Sequence, residues 1–518
     1  MRTLGTTLER NAANYPDRPA LAYHDRIVTF GDLRRRALRL ADGLYLRGLR
    51  RQERVAILSR NSLEYCEVSA ATEHAGFICT TVNFRLAPPE IEYVLLDSGA
   101  KALVFDVEYA EVVDGLRGVF PNLLLVCTRG SVPWALDYES LIAEGAIEGP
   151  PIVAAPDDIG CLIYTSGTTG RPKGVARRHW RWRTYADMML LEMKIGFAPV
   201  NLVMTPLFHV GAKIQVLATH EMAGLVVVED NFDAKRALGV IERFRVTHMF
   251  VVATMMQALL EAADQASFDL SSLERITMAG APIPVPTLRR ALARFGKVIM
   301  IQYGMTEAEL TVLHPQEINP EGTSQDIERL TSVGHPNGLT EVSIWDDEGS
   351  ECSIGTPGEI VVRSPATLDF YWNNSCATVD SIRDGWFRTG DVGKRDERGY
   401  IYLVDRKKDM IISGGENIYS REVEEALITH EALREVAVIG IPDPKWGEAV
   451  VAVVVLQKRA EVDPETLIAY SRTRLARYKC PKAVVFTSEL PRVPSGKVDK
   501  VALRRTASAS LSSQRPEA

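Results

Sequence analysis

The 518-residue sequence has few cysteines and no cysteine pattern. Its seven cysteines are odd in number and scattered, and none forms a Cys-x-x-Cys pair, so neither a disulfide framework nor a zinc site is indicated. We therefore expect a reducing compartment, and we predict a cytoplasmic location. The cysteines are Cys66, Cys79, Cys127, Cys161, Cys352, Cys376 and Cys480.

Long apolar runs and an excess of positive charge are also missing. No apolar run approaches the ~18 to 20 residues that span a bilayer, so any membrane contact is expected to be peripheral. The amino terminus meets charge at its second residue, which predicts that it is not a signal peptide. The 60 Lys and Arg residues against 67 Asp and Glu residues give a net charge of −7. This balance argues against nucleic acid as a partner, and phosphate chemistry must use local basic groups.

The composition is that of a large globular protein. Hydrophobic residues make up 46% and charged residues 25% of the chain, and the length predicts more than one domain. Short β-branched runs, such as 102–105 and 225–228, alternate with helical patterns such as 33–49 and 234–244. This alternation predicts an α/β fold.

A second, smaller region follows residue 402. A helix is predicted from Ser420, strands are predicted at 436–441 and 449–456, and Asp463 followed by proline predicts a further helix start. We predict two domains, 1–404 and 405–518, with a frayed tail at 506–518 because that segment is small and polar.

The segment 164–174, Tyr-Thr-Ser-Gly-Thr-Thr-Gly-Arg-Pro-Lys-Gly, follows an apolar strand and gathers glycines and hydroxyls around one lysine. Glycines let backbone N–H groups form an anion nest, and Lys173 supplies a charge for phosphate oxygens. The spacing is not that of a Walker A loop. A flexible surface loop is the alternative, and the preceding strand and the lysine argue against it.

This segment resembles the signature of the adenylate-forming superfamily, and five further segments extend the resemblance along the chain. They are 303–307 (Tyr-Gly-Met-Thr-Glu), 385–391 (Gly-Trp-Phe-Arg-Thr-Gly-Asp), 405–409 (Asp-Arg-Lys-Lys-Asp), 412–417 (Ile-Ser-Gly-Gly-Glu-Asn) and 490–497 (Leu-Pro-Arg-Val-Pro-Ser-Gly-Lys). The acyl-CoA synthetase branch fits best. The resemblance implies a large amino-terminal α/β domain of several subdomains, then a small mobile α+β domain. It also implies ATP, Mg²⁺ and coenzyme A as cofactor and co-substrates.

The resemblance assigns the nucleotide site residue by residue. Glu307 offers the hard oxygen that magnesium prefers, Thr306 donates to the α-phosphate, and Tyr303 stacks on adenine. Without the motif, Glu307 would be an exposed acid and Tyr303 a core residue. The full set for ATP or AMP is Thr165, Ser166, Gly167, Thr168, Thr169, Gly170, Lys173, Gly280, Ala281, Pro282, Tyr303, Gly304, Met305, Thr306, Asp391, Arg406 and Lys497.

Three of these residues lie in the carboxyl-terminal part of the chain. Asp391 resembles the family residue that accepts both ribose hydroxyls, and Arg406 has the fork of donors that suits phosphate or ribose oxygens. Lys497 resembles the lysine that bridges the substrate carboxylate and the α-phosphate. Taken alone, these residues would be a turn former, a surface arginine and a solvated lysine.

The family uses one site for two half-reactions by rotating the small domain. Lys408 matches the hinge position of the family. Gly414 and Gly415 then lie along the pantetheine tunnel, and further candidates to contact coenzyme A are Trp446, Arg85 and Lys479. For Trp446, core packing is an equally weighted alternative.

The acyl pocket is assigned by resemblance to Phe208, His209, Lys213, Ala279, Gln302 and Gly304. His209 would close the site over the carboxylate, although a packed histidine is the commoner fate. Gly304 stands where acetate-specific relatives carry tryptophan, whereas Gln302 and Ala279 stand where glycine is usual. Lys213 either faces the pocket, which would then need a polar or anionic tail, or points to water, which is the favoured alternative.

A basic and aromatic run, 177–183, follows the phosphate loop. It could contact anionic lipid or a coenzyme A phosphate, but a solvated helix face with two packed tryptophans is favoured.

The leading hypothesis is an ATP-dependent acyl-CoA ligase that acts on a medium-chain, aromatic or polar-tailed acid. Lys497, Lys173, Thr306, Glu307 and His209 are its candidate catalytic residues. The alternatives are an adenylating enzyme that loads a carrier-protein phosphopantetheine or oxidises its acyl group, and a catalytically silent scaffold. The sequence leaves open whether the protein is a monomer or a homodimer.

Overall fold

The computed structural model describes residues 2–165, 172–280, 285–407, 409–413, 416–443, 446–493 and 496–512. Within these ranges, no helix is long and apolar enough to cross a membrane. The chain divides into two compact units, one of residues 1–342 and 362–387 and the other of residues 343–361 and 388–518. The predicted boundary at 404/405 stays a prediction, and Lys408, its proposed hinge, lies outside the described residues.

The elements are given in chain order. Up to residue 144 they are α1 (Gly5–Asn14), β1 (Pro19–Tyr23), β2 (Arg26–Thr29), α2 (Phe30–Leu46), β3 (Arg54–Leu58), α3 (Leu63–Ala75), β4 (Ile78–Thr81), α4 (Pro88–Ser98), β5 (Ala102–Asp106), a short 3₁₀ helix (Val107–Tyr109), α5 (Ala110–Leu116), β6 (Leu124–Thr128), β7 (Leu136–Asp137) and α6 (Tyr138–Glu144). Up to residue 336 they are β8 (Ile159–Thr165), β9 (Lys173–Arg178), α7 (His179–Met193), β10 (Val200–Val203), α8 (Val210–Glu221), β11 (Leu225–Val228), α9 (Ala234–Phe244), β12 (His248–Val251), α10 (Ala253–Gln265), β13 (Arg275–Met278), α11 (Val285–Phe295), β14 (Ile299–Gly304), β15 (Glu309–Leu313), α12 (Ser324–Arg329) and β16 (His335–Pro336).

The rest of the chain is richer in strands. It comprises β17 (Glu341–Trp345), β18 (Gly358–Arg363), β19 (Phe370–Tyr371), α13 (Ser375–Ser381), β20 (Ile382–Arg383), β21 (Trp386–Arg395), β22 (Ile401–Arg406), β23 (Ile411–Ser413), β24 (Glu416–Ile418), α14 (Ser420–Leu427), β25 (Leu433–Asp443), β26 (Gly447–Leu456), α15 (Pro464–Arg472), β27 (Ala483–Phe486) and α16 (Lys500–Ser512).

Two large mixed sheets form the first unit. One has nine strands in the order β16-β15-β14-β13-β12-β10-β11-β1-β2, and the other has eight in the order β19-β9-β8-β4-β3-β5-β6-β7. Their central strands are parallel and almost wholly buried, because β-branched runs such as Leu225–Val228 have apolar side chains for both faces. The predicted α/β class is confirmed.

The antiparallel pair β8 and β9 encloses the glycine-rich segment. Thr165 pairs with Lys173 at the loop end of this hairpin, so the two strands hold the ends of the loop together. Residues 166–171, which include the predicted phosphate binders Ser166, Gly167, Thr168, Thr169 and Gly170, lie outside the described residues. The structure therefore describes the two strands that flank the phosphate loop and not the loop itself.

The second unit is built on a long antiparallel hairpin of β25 and β26, which β27 joins in parallel. Alternate residues of β26 point to two apolar clusters, one around Val450, Ala452 and Val454 and one around Val451 and Val453. The predicted helix start and strands are confirmed. Helix α16 extends into the predicted tail as far as residue 512, and residues 513–518 are outside the described part.

Candidate active site

A carboxylate and a phenol meet beside the phosphate-loop hairpin. The Tyr371 hydroxyl donates to Glu307 Oε1 at 2.9 Å, and the Glu307 carbonyl accepts from the Leu368 backbone N–H at 2.7 Å. Tyr371 is held in place because β19 pairs with β9, where Tyr371 lies opposite Val175. Burial, reinforced by the Glu307 carboxylate, raises the pKa of Tyr371, so its hydroxyl remains a donor.

Lys173 joins this pair at the start of β9. Its Nζ lies 4.9 Å from the centroid of the Tyr371 ring, a cation–π distance. Lys173 and Glu307 are therefore brought together around one tyrosine, although 134 positions separate them in the numbering of the chain.

The backbone of Thr306 is held from behind by a buried guanidinium. Arg177 is fully buried, with 0% exposure, and its Nη2 donates to the Thr306 carbonyl at 2.9 Å. The Trp182 and Tyr185 rings lie 4.6 and 5.4 Å from its Cζ. Burial lowers the pKa of Arg177, but an arginine starts high enough to stay charged. This contact fixes the turn that carries Thr306 and Glu307.

The adenine candidates lie at the ends of neighbouring parallel strands. Tyr303 is buried in β14, and the following turn closes with hydrogen bonds between Met305 and Ala308 in both directions, at 2.8 and 3.2 Å. Ala279 follows β13, and Gly280 after it has φ of +84°, which favours glycine. Ala281 and Pro282, also predicted for this site, lie outside the described residues.

Phe208 and His209 immediately precede α8, with His209 at its N-cap. Phe208 is buried, and its carbonyl accepts from the Thr81 hydroxyl at 3.1 Å. The two rings lie 4.3 Å apart, and the His209 carbonyl accepts from the Lys213 N–H at 3.2 Å. His209 is half-buried, which leaves part of its ring exposed at the start of the helix.

Lys213 is neither at the surface nor without a partner. Its side chain is 7% exposed, and Nζ lies 2.8 Å from Oε1 of Glu73, which is 12% exposed. Burial alone would lower the pKa of Lys213, but the Glu73 carboxylate, together with Cys161 and Cys79, outweighs burial and the pKa is raised. The water-facing alternative is therefore wrong. Because the chain itself supplies the counter-charge, Lys213 no longer requires an anionic substrate tail.

Gln302 is buried and points to α7, where its Nε2 donates to Met189 Sδ at 3.0 Å. Gly304, two residues on, is exposed. A Cβ atom built on Gly304 would lie 2.5 Å from Glu309 Oε2, so the side-chain position at 304 is already filled.

In the second unit, Asp391 and Arg406 are cross-strand partners in β21 and β22. Asp391 is buried, and its backbone N–H donates to the Thr389 hydroxyl at 3.1 Å. Lys497 is exposed, next to a turn in which Gly496 has φ of +85°. The fold thus places Asp391 and Arg406, two of the three predicted nucleotide binders of this unit, on one ribbon.

The coenzyme A candidates have different surroundings. Trp446 is 39% exposed with Lys482 Nζ 5.3 Å from its ring centroid, so the core-packing alternative for Trp446 is wrong. Lys479 pairs with Glu422 at 2.7 Å. In the first unit, exposed Arg85 lies over the Phe84 ring at 5.0 Å. Gly414 and Gly415 lie outside the described residues.

The arginines of the basic run 177–183 make their contacts within the first unit. Asp369 accepts from Arg178 Nη1 at 3.2 Å and from Arg181 Nε at 2.9 Å, and Glu221 pairs with Arg183. Trp182 is buried and Trp180 is half-buried, but the expected solvated helix face is wrong, because Arg177 is fully buried in β9. These arginines neutralise carboxylates of the same unit.

Sequence reasoning missed several residues around the site. Tyr371, Arg177, Tyr185 and Glu309 all lie against predicted site residues, yet none was predicted to act there. Tyr371 lies in none of the six segments that carried the resemblance. Arg177 and Glu309 had no signal either, because only packing reveals that a charged residue in a strand is buried.

The residues present fit a magnesium ion. Magnesium is bound through one or two carboxylates, with phosphate oxygens and waters completing six positions. Glu307 supplies such a carboxylate, and Tyr371 orients it through one oxygen. Elsewhere in the described ranges, no group of three or more His, Cys, Asp or Glu side chains could hold a metal ion.

Comparison with known proteins identifies the family. Residues 8–372 match the model of the AMP-binding enzyme family, and residues 422–497 match that of the AMP-binding enzyme C-terminal domain. The chain is 40% identical to a feruloyl-CoA synthase of Amycolatopsis over 503 residues, covering 97% of this chain and 98% of that protein. It is 33% identical to a long-chain-fatty-acid–CoA ligase of Mycobacterium tuberculosis over 518 residues, covering 99% and 100%.

A solved structure supports the same family assignment. The o-succinylbenzoate CoA synthetase of Bacillus subtilis, in complex with its acyl-adenylate intermediate, is 32% identical and superimposes with a TM-score of 0.85 over 96% of this chain and 97% of that chain. The same enzyme has also been solved with ATP and a magnesium ion. The predicted superfamily, fold, ligase class and use of ATP, magnesium and coenzyme A are confirmed, and the chain belongs to the family of AMP-binding enzymes.

Proposed function

We propose that this enzyme activates an aromatic or polar-tailed carboxylic acid as its acyl-adenylate and then transfers the acyl group to coenzyme A. The first step consumes ATP and releases pyrophosphate, and the second releases AMP and an acyl-CoA thioester. The observation that carries the proposal is the cluster of Lys173, Tyr371 and Glu307 beside the phosphate-loop hairpin. It combines a mobile cation with an oriented carboxylate, as nucleotide chemistry requires.

The first half-reaction is attack of the acid's carboxylate on the α-phosphorus. Negative charge then develops on the phosphorus oxygens, and preorganised cations and donors stabilise it. Lys173 and Lys497 supply positive charge, and Thr306 donates a hydroxyl hydrogen bond. Arg177 keeps that threonine's backbone in place through its carbonyl. A magnesium ion, when bound through Glu307, neutralises the phosphate charge.

The nucleoside is held by groups of different chemistry. Tyr303 offers an aromatic face to adenine, and Asp391 accepts from the ribose hydroxyls. The pairing of Asp391 with Arg406 supports a shared role, because cross-strand partners in a ribbon keep a fixed spacing.

The second half-reaction needs a thiol to reach the acyl carbon. The exposed indole of Trp446, with Lys482 beside it, supports a stacking contact with the coenzyme A nucleotide. Lys408 as hinge, and Gly414 and Gly415 along the pantetheine, complete this proposal. The cytoplasm as location is supported by the seven cysteines, which are all free thiols.

The nature of the acid follows from the pocket candidates. Gln302, with its polar amide, is a poor neighbour for a long aliphatic chain, since burying an amide against hydrocarbon leaves hydrogen bonds unmade. The curated relative of 40% identity is named for the ferulic acyl group, which is aromatic and polar. We therefore propose an aromatic acid over a long-chain fatty acid.

The test is AMP formation across a panel of acids, with and without coenzyme A. We expect coenzyme-dependent AMP and a thioester for aromatic acids. AMP without a thioester would instead favour transfer to a carrier-protein phosphopantetheine, and turnover of long-chain fatty acids alone would contradict the proposed acid class.

Two lysine variants test the proposed catalytic role of Lys497. Lys497→Ala should lower adenylate formation at least a hundredfold, because a charge at the reacting phosphate is lost. The exposed Lys458, in the same unit, provides the matched control, and Lys458→Ala should retain full activity. Equal activity of the two variants would refute the role of Lys497.

A further inference from the structure

Two cysteines lie side by side in the interior of the first unit. Cys79 in β4 and Cys161 in β8 are directly opposite each other in parallel strands, and neither is exposed. Neighbouring strands lie about 4.8 Å apart, which is inside the range of about 4.4 to 6.8 Å between the Cα atoms of a disulfide. The two side chains hydrogen-bond to each other, and both are free thiols. The pair is therefore a dithiol at the spacing that a disulfide requires.

A cavity lies beside this dithiol and is lined mainly by α1, α3 and α8. Ser69 of α3 lines the cavity and is half-buried, and its hydroxyl oxygen lies 4.0 Å from Cys79 Sγ, a hydrogen-bond distance for sulfur. The cavity has a volume of about 60 Å³. At about 10 to 15 Å³ for each water-sized group, it has room for about four to six such groups. A molecule as small as hydrogen peroxide, with two heavy atoms, fits there and lies one side chain away from the sulfur.

The surroundings make the two sulfurs unequal. The hydrogen bond with Cys161 lowers the pKa of Cys79, and the charge of Lys213, which also lines the cavity, acts in the same direction. Burial raises the pKa of Cys161. Because a thiolate is the nucleophile in thiol oxidation, Cys79 is the sulfur that reacts first, and Cys161 is the one that closes the disulfide.

Cys66 provides a comparison within the same cavity. It lines the cavity from α3, and burial, reinforced by the carboxylates of Glu67 and Glu64, raises its pKa to about 12. Cys66 therefore stays a protonated thiol, which is a poor nucleophile. It shares the access of the dithiol without sharing its reactivity.

We propose that Cys79 and Cys161 form a redox-active dithiol, a modification site at which a hydroperoxide that enters the cavity converts the pair to a disulfide. The inference goes beyond the proposed ligase function and does not depend on it. In a reducing compartment such a disulfide is transient, so it responds to oxidant and does not stabilise the fold permanently.

The conversion takes two steps. The Cys79 thiolate attacks one oxygen of the peroxide, the O–O bond breaks, hydroxide leaves, and Cys79 becomes a sulfenic acid. The Cys161 sulfur then attacks the sulfenic sulfur, the S–S bond forms, the S–O bond breaks, and the oxygen leaves as water with the proton of Cys161. In sum, two thiols and one hydrogen peroxide give one disulfide and two waters, and the pair loses two electrons to the peroxide.

The experiment treats the whole protein with hydrogen peroxide, alkylates the remaining thiols under denaturing conditions and identifies the peptides by mass spectrometry. Digestion with trypsin and a glutamate-specific protease separates Cys66 from Cys79, because Glu67 and Glu73 lie between them. The exposed Cys376 reports the peroxide dose. We expect a linked Cys79–Cys161 peptide, lighter by two hydrogen atoms than the two free peptides, to form about tenfold faster or more than Cys66 is oxidised. Dithiothreitol should reverse the link.

Three variants assign the roles. Cys161→Ser removes the second thiol, so Cys79 should stop at the sulfenic acid and be captured by dimedone, whereas Cys79→Ser should leave Cys161 without dimedone. Ala70→Leu fills the half-buried edge of the cavity and should slow formation of the linked peptide about fivefold or more, with oxidation of Cys376 unchanged. The measurement on the unaltered protein keeps the inference testable if a variant does not fold.

The opposite results would overturn the inference. If Cys79 and Cys161 can both still be alkylated after Cys376 has been oxidised, or if Cys66 is oxidised as fast as the pair, the two cysteines are not a redox-active dithiol. An unchanged rate in Ala70→Leu would overturn entry through the cavity.

Discussion

Replacing Lys213 by methionine removes the ammonium group that neutralises Glu73 in the interior of the first unit. The two side chains are 7% and 12% exposed, and their charged atoms lie 2.8 Å apart. Breaking a buried pair by removing one partner costs about 3 to 5 kcal/mol, because the other charge remains buried.

We therefore expect Lys213→Met to lose about 3 to 5 kcal/mol of unfolding free energy at pH 7. The double variant Lys213→Met with Glu73→Gln should lie within about 1 to 2 kcal/mol of wild type, because neither charge remains.

The assay is urea unfolding monitored by tryptophan fluorescence, because the centroid of the Trp182 ring lies 5.7 Å from Lys213 Nζ. Loss of activity is measured in parallel. The control is the exposed pair Arg243 and Asp25, whose side chains are 59% and 89% exposed, where Arg243→Met should cost less than about 1 kcal/mol. If Lys213→Met costs no more than Arg243→Met, the argument from burial is refuted.

Three further predictions concern the site and its frame. Tyr371→Phe removes the donor that orients Glu307, so the magnesium concentration for half-maximal activity should rise about three- to tenfold with little change in melting temperature; an unchanged magnesium titration would contradict the orienting role. Asp391→Asn should raise the KM for ATP about tenfold or more and leave that for the acid within twofold, and steady-state kinetics with each substrate varied in turn decide this. His179 is buried and accepts from the Leu4 N–H at Nδ1, and burial lowers its pKa to about 4. Histidine in the unfolded chain has a pKa of about 6.5, so the contribution of neutral His179 to the free energy of unfolding is intact above that pH and is lost as pH falls towards about 4, by at most about 3 kcal/mol. His179→Asn keeps an acceptor but does not titrate, so it should flatten the acid limb of a stability–pH curve. An unchanged acid limb would exclude His179 as its cause.

Local sequence predicted the elements well where the pattern was strong. The helix predicted at 234–244 is α9, Ala234–Phe244, and the strand predicted at 225–228 is β11. The helix predicted at 33–49 runs instead from Phe30 to Leu46, because Thr29 caps its start and the chain turns at Gly48, where φ is +101°. Caps and turns decide boundaries that apolar spacing leaves open.

The residues of the candidate site were likewise predictable from local sequence only in part. Motif residues such as Glu307 and Lys173 were identified from short segments, because the family resemblance is carried by adjacent residues. Their supporting contacts join distant positions: Lys213 and Glu73 are 140 residues apart, and Arg177 and Thr306 are 129 apart. Such pairs are set by tertiary packing, and a single sequence contains no signal for them.

The hydrogen bond between Tyr371 and Glu307 has a consequence for biosynthesis. The two residues are 64 positions apart, and the stretch between them includes residues 343–361, which belong to the other unit. A ribosome that has translated Glu307 must therefore synthesise part of the second unit before the first unit receives β19, the strand that carries Tyr371. At about 5 to 20 residues per second, the nascent site stays without its tyrosine for seconds, and fragments that stop before residue 371 would never acquire it.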